Sequence, residues 1–281
     1  MKLVEQDTTV RGHGIQSTNK FKIASSRKAF EILSSSMYQD KIKAIIRELS
    51  TNAIDAHIDA GTIAKQFILK LPSQFDLNFS IRDFGTGMSQ TKIETLYSTY
   101  FGSDKNDSND FVGCLGLGSK SPFSYTNSFS VTSYFKGKKY IYIATVNEEG
   151  IPEINLMHSE DTTNPNGLEV AFAVQPGDVA QFEAKAKEVY RYFKHRPIIK
   201  GVANIRFDDM KFTLQSKDET WGIFGGGQSI ATMGHIAYPI NPKHFSTQHG
   251  DIHPNAPSRY RNDYRGNNEY QQLLGTGIQL N

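Results

Sequence analysis

Arg47-Glu48-Leu49-Ser50-Thr51-Asn52-Ala53-Ile54-Asp55-Ala56 is the stretch on which the reading of the fold turns. It lies within Met37–Ala60, where Ile42, Ile45, Ile46, Leu49, Ala53, Ile54 and Ala56 recur at helical spacing. Gly61 then supplies a C-terminal stop. Glu48 and Asn52 stand four residues apart and Asp55 three beyond, so the three share one side of the helix. A carboxylate next to a neutral amide is useful chemistry: the amide oxygen enters an octahedral Mg²⁺ shell while the carboxylate polarises a water. An ordinary amphipathic helix with a polar solvent face reads from the same residues.

Downstream, Phe67–Leu71 and Leu77–Arg82 are strand-like runs separated by the breaker Pro72-Ser73. The second run ends directly in the turn Asp83-Phe84-Gly85-Thr86-Gly87-Met88. An aspartate there accepts a hydrogen bond from an amino donor such as adenine N6. Gly85 and Gly87 remove Cβ atoms where backbone passes close to a flat ligand, and Met88 offers an adaptable apolar surface. A β-turn after an edge strand favours Asp and Gly as well. Ser89–Tyr100 reads as a short helix, and Gly102–Asn109 has the polar composition of a mobile loop.

Gly113-Cys114-Leu115-Gly116-Leu117-Gly118-Ser119-Lys120-Ser121 follows. Glycines so placed let backbone N–H groups converge into an anion nest, which a following helix N-terminus reinforces, so this turn is expected to cradle phosphates. It is not a Walker A loop, because Ser119 stands between Gly118 and Lys120. Nor is it a Rossmann loop, because the glycines read GxxGxG and come after residue 110.

Phe129–Tyr134, Tyr140–Val146, Ile154–His158 and Leu168–Val174 alternate as antiparallel strands do, and Phe182–Phe193 is helical. After Pro197 the character changes. Ala203–Phe207, Lys211–Leu214 and Ile236–Ile240 are short strand candidates around a Gly225–Gly227 turn, and the tail from about residue 255 is loop-rich. The expected organisation is therefore an α+β domain over 1–197 and a partial second domain over 198–281.

Hydrophobic residues make up 38% of the 281, and 31 Lys plus Arg face 29 Asp plus Glu, too balanced to announce a nucleic-acid or membrane-surface protein. Cys114 is the only cysteine, which excludes an intrachain disulfide and suits a reducing, cytoplasmic setting. No apolar core of signal-peptide length and no run of about 18 apolar residues is present. Peripheral membrane association stays open. His235, His244, His249 and His253 match no zinc spacing and read as surface histidines. The Tyr and Arg mixture at Tyr260–Tyr270 is offset by Asp263 and Glu269, which argues against nucleic acid.

A helix with ExxxN, a strand ending DxGxGM, a polar lid and then GxxGxGS, with Asn52 to Asp83 spanning 31 residues and Asp83 to Gly113 spanning 30, resembles the GHKL ATPases. The resemblance implies a Bergerat-type two-layer α/β sandwich: a mixed, mostly antiparallel sheet with helices on one face, followed by a small S5-like region. It implies ATP and Mg²⁺ as ligands. Glu48 would then be the general base, and Asn52 a Mg²⁺ ligand with Asp55 beside it. Asp83 would read the adenine amino group, with Gly85, Gly87 and Met88 along the base. Gly113, Gly116, Leu117, Gly118, Ser119 and Lys120 would hold the phosphates. Lys105 stands where similar families place a phosphate-proximal lysine, although a solvated loop lysine is the preferred reading there. Arg259, in a stretch that resembles the second domain's γ-phosphate contact, competes in the same way with a surface arginine. Leu168 replaces the threonine of the family's fourth motif, Asn166-Gly167-Leu168-Glu169-Val170.

Within that superfamily, Arg47–His57, Asp83–Met88 and Ser108–Tyr134, above all Gly116–Tyr125 (GLGSKSPFSY), resemble the phage rIIA-type lysis-inhibition proteins. This implies a slow ATPase acting as a conformational switch in the host cytoplasm, with a protein partner or a second copy engaged when nucleotide closes the lid. A nucleotide-binding module that engages a host partner without appreciable hydrolysis is the alternative.

Overall fold

The computed structural model describes residues 26–33, 38–100, 116–202 and 205–207, together with five later strands whose backbone alone is described. The chain divides into two compact units, Met1–Val189 with His195–Arg206, and Tyr190–Lys194 with Phe207–Asn281. No helix among the described residues is long and apolar enough to cross a membrane.

The first unit opens with α1 (Arg27–Glu31) and α2 (Lys41–Asp59). Asp40 caps α2 by accepting from the Lys43 N–H at 3.1 Å, and Gly61, at φ 65°, lets the chain leave it. Ile42, Ile45, Ile46, Leu49, Ala53 and Ile54 form the buried stripe of α2, as its periodicity dictates.

Strands β1 (Ile68–Lys70) and β2 (Asn78–Arg82) form a hairpin, followed by α3 (Gln90–Lys92), which runs into a wider π-helical turn over Ile93–Tyr97. A 3₁₀ helix spans Gly118–Ser124. Then come β3 (Ser128–Phe135), β4 (Lys138–Val146), β5 (Pro152–Asp161), β6 (Gly167–Ala173), α4 (Val179–Tyr190) and β7 (Ile198–Lys200). The unit is α+β, with one seven-stranded open sheet of order β5-β4-β3-β6-β2-β1-β7. Every neighbouring pair is antiparallel except β1 with β7, so the first sheet continues past residue 197.

Register explains why the helices gather on one face. Leu69 pairs with Ile81, Ile81 with Val170, Val170 with Val131 and Val131 with Tyr142, a row of buried side chains across five strands. Ile81 meets Leu49 and Ala53 of α2 around one cavity, and Phe79 meets Phe182 of α4 with ring centroids 5.1 Å apart. The other face carries the row Arg82, Glu169 and Thr132.

The second unit holds a five-stranded sheet of order β11-β10-β12-β9-β8, formed by β8 (Phe212–Gln215), β9 (Trp221–Gly225), β10 (Ile230–Met233), β11 (Ile236–Pro239) and β12 (Thr276–Leu280). Within the stretch read from sequence as a loop-rich tail, β12 is a strand seated between β9 and β10. The rest of that tail lies outside the described residues. Residues 205–207, the described part of the 203–207 strand candidate, carry no strand.

Phe182 is fully buried among Phe79, Phe172 and Tyr125. Phe182→Ala is expected to destabilise the first unit by about 3–5 kcal/mol. Urea unfolding checks this as a lowered midpoint at unchanged slope.

Candidate functional site

The cleft forms where three segments meet. The first is the polar side of α2. A Cβ added at Gly118 would stand 2.7 Å from Glu48 Oε2 and 3.5 Å from Asn52 Nδ2, so the glycine turn lies directly on the Glu48–Asn52 face. Glu48 Oε1 accepts from Arg47 Nη2 at 2.8 Å. Asp55, one turn beyond Asn52, is completely buried.

The second segment is the turn after β2. The Gly85 backbone runs so close to α2 that a Cβ there would come within 2.5 Å of the Ala56 carbonyl oxygen. His57, buried at the end of α2, completes the attachment. The Phe84 N–H donates to His57 Nε2 at 2.9 Å, which makes Nδ1 the protonated nitrogen and a donor to the Thr62 carbonyl at 3.1 Å. Gly87, at φ 70°, passes just as tightly against the Tyr134 backbone. The two glycines therefore meet close approaches within the protein, at α2 and β3. Met88 is clamped through its backbone: its N–H donates to Ser133 Oγ at 2.9 Å, and that hydroxyl donates to the Met88 carbonyl at 2.8 Å.

Asp83 is the turn's chemical centre. It is 6% exposed, and its Oδ1 accepts from the Gly85 N–H at 2.9 Å and the Leu168 N–H at 3.1 Å. Burial pushes the Asp83 carboxyl above its ordinary value; the Gly85 N–H, the Arg82 charge and the Leu168 N–H pull the other way without cancelling it. Leu168 thus supports Asp83 through its backbone, while its side chain helps line the cavity.

The third segment is the turn at Gly116–Ser119. Gly116 sits at φ 63°, where glycine is favoured, and the Ser119 carbonyl accepts from the Tyr97 hydroxyl at 3.2 Å. Lys120 is buried, and its ammonium donates to the Thr99 carbonyl at 2.9 Å and the Gly116 carbonyl at 3.0 Å. These two bonds tie the turn together. Burial pulls its pKa down to about 8.

Leu49, Asn52, Ala53, Ile81, Asp83, Tyr97, Ser119, Leu168 and Val170 together line one cavity. Its walls are apolar except for an amide, a carboxylate and two hydroxyl side chains, and its volume of about 30 Å³ holds a water or two. Of the residues singled out by sequence, Glu48, Asn52, Asp83, Gly118 and Ser119 come together here. Lys105, Gly113 and Arg259 lie outside the described residues. Sequence reading passed over Tyr97, His57 and Arg82. Tyr97 follows Ile93 by one turn, and Arg82 is a charge closing an alternating strand, so both carried a signal. His57 has none until the turn is seen folded against α2. Compared with known proteins, the chain matches no family model and no curated protein.

The buried Lys120 gives a pH signature. Its pKa is lower folded than unfolded, so the unfolded chain holds more protons between pH about 8 and the ordinary lysine value, and stability rises with pH across that window. Chemical denaturation from pH about 7.5 to about 9.5 should show a positive slope of at most about 1.4 kcal/mol per pH unit. Lys120→Met should abolish that slope.

Proposed function

We propose that this chain binds ATP with Mg²⁺ in a Bergerat-type pocket of the GHKL kind and turns it over slowly as a conformational switch. The observation that carries this reading is the packing of Gly118 onto Glu48 and Asn52 beside a buried Asp83 that lines the same cavity. The residues suit the ligand. Asp83, with Oδ1 already engaged by backbone, supports an amino donor on a base. The apolar walls Leu49, Ala53, Ile81 and Val170 suit a ring. Because Gly118 carries no Cβ, the turn comes up to the Glu48–Asn52 face, where this reading puts the phosphates.

Among the described residues no three His, Cys, Asp or Glu side chains converge into a metal cage. Mg²⁺ would accordingly enter through Asn52 and the nucleotide's own phosphates, where it neutralises charge. Glu48 is the residue assigned to orient and deprotonate water. The resemblance to phage rIIA-type proteins supports a switch that engages a protein partner or a second copy in the host cytoplasm, with peripheral membrane association compatible.

A second reading, a nucleotide-binding interaction module with negligible hydrolysis, is favoured by one contact. Glu48 gives one carboxylate oxygen to Arg47, and its other lies against Gly118. Calorimetric titration beside a steady-state ATPase assay separates the two. Under the main reading, Glu48→Ala lowers turnover by roughly 100-fold or more while leaving affinity within about threefold. Asp83→Ala removes measurable binding of the base. ATP turnover by Glu48→Ala equal to wild type would overturn the assigned base, and saturable binding without turnover in wild type would select the second reading.

A further inference from the structure

Arg82 lies on the sheet face opposite the cleft, next in sequence to Asp83, and it is almost fully buried. Its guanidinium is caged by aromatic rings, 4.2 Å from the centroid of Tyr134 and 4.9 Å from that of Phe84. It donates through Nη1 to the Asp83 carbonyl and through Nη2 to the Pro165 carbonyl at 2.7 Å. Gly167, at φ 139°, leaves the room it needs, since a Cβ there would collide with Nη1 and with the Asp83 carbonyl oxygen. Taking a cation out of water is costly, and two carbonyls and two rings offset that cost here. Asp83 is the carboxylate that acts on it most, with Glu169 opposite it in register on β6.

We propose that Arg82 is the positioning residue of the base pocket. From behind the sheet it fixes the Asp83 backbone and sets a positive charge beside the carboxyl that accepts a ligand's amino group. Asp83 is otherwise faced by the Gly85 and Leu168 N–H groups and by His57 from α2; Arg82 is faced by Tyr134 from β3 and Glu169 from β6. Arg82 is the fixed cation in that set, and after the Gly85 N–H it most opposes the protonation that burial favours. The proposal rests on the nucleotide reading for the ligand, but the coupling between Arg82 and Asp83 does not.

Two measurements separate these layers. The first is the titration of the ¹³C-labelled Asp83 carboxyl by NMR in the full chain, without nucleotide. Arg82→Met should move its midpoint upward by about one pH unit, and Arg82→Lys should keep it near wild type. The second is the affinity for a non-hydrolysable ATP analogue with Mg²⁺ between pH about 5 and about 8. Affinity should fall on acidification, and the fall should begin at higher pH in Arg82→Met. In an Asp83→Asn background Arg82→Met should add less than about twofold. Should Arg82→Met fail to fold, Tyr134→Leu keeps the charge but loosens its cage and should shift both curves by a smaller amount in the same direction. Coincident titration of Asp83 in wild type and the variants overturns the proposal. A shifted Asp83 titration in a wild-type chain that binds no analogue at any pH upholds the coupling and overturns the nucleotide reading, and with it the ligand-facing half of the proposal.

Discussion

The close passage of Gly85 across the backbone of α2 at Ala56 sets the geometry of the cleft. Any side chain at that position would hold the turn after β2 away from the helix. With glycine there, the Phe84 N–H reaches His57 Nε2, and Asp83 comes to share a cavity with Asn52, one turn before Ala56 on the same helix. The glycine turn at Gly118 closes from the other side by the same means, a missing Cβ against Glu48. Two absent methyl groups thus bring together three segments that are about thirty residues apart in sequence.

The polar groups behind the cleft are held rather than left to solvent. Asp83 is taken out of water and receives two backbone N–H groups in return; Lys120 receives two carbonyls; Ser133 exchanges both of its hydrogen-bonding roles with Met88. Buried groups of this kind cost stability unless satisfied, and satisfied ones are stiff. The consequence is a rigid carboxylate and a rigid turn facing a small apolar cavity.

Much of this was legible in the residues. The periodicity of Met37–Ala60 and the stop at Gly61 locate α2, and its buried stripe is the one the spacing gives. Alternation in Phe129–Val174 locates the antiparallel strands, because a sheet covered on one face must alternate. What was hidden depends on tertiary approach. Gly85 and Gly87 look from sequence like glycines cleared for a ligand, yet the Cβ collisions they avoid are with α2 and β3. Nor does the sequence around Lys120 show that its ammonium donates to the Thr99 and Gly116 carbonyls. The strand β12 escaped notice because five residues of modest alternation follow a long stretch without periodicity.

The central claim is that one nucleotide spans these three segments, and a crystal soaked with a non-hydrolysable ATP analogue and Mg²⁺ tests it most directly. The expected density places the base amino group at Asp83, the metal at Asn52 and the phosphates along Gly116–Ser119. Density for the analogue elsewhere on the molecule, or a base bound without any contact to Asp83, would contradict it.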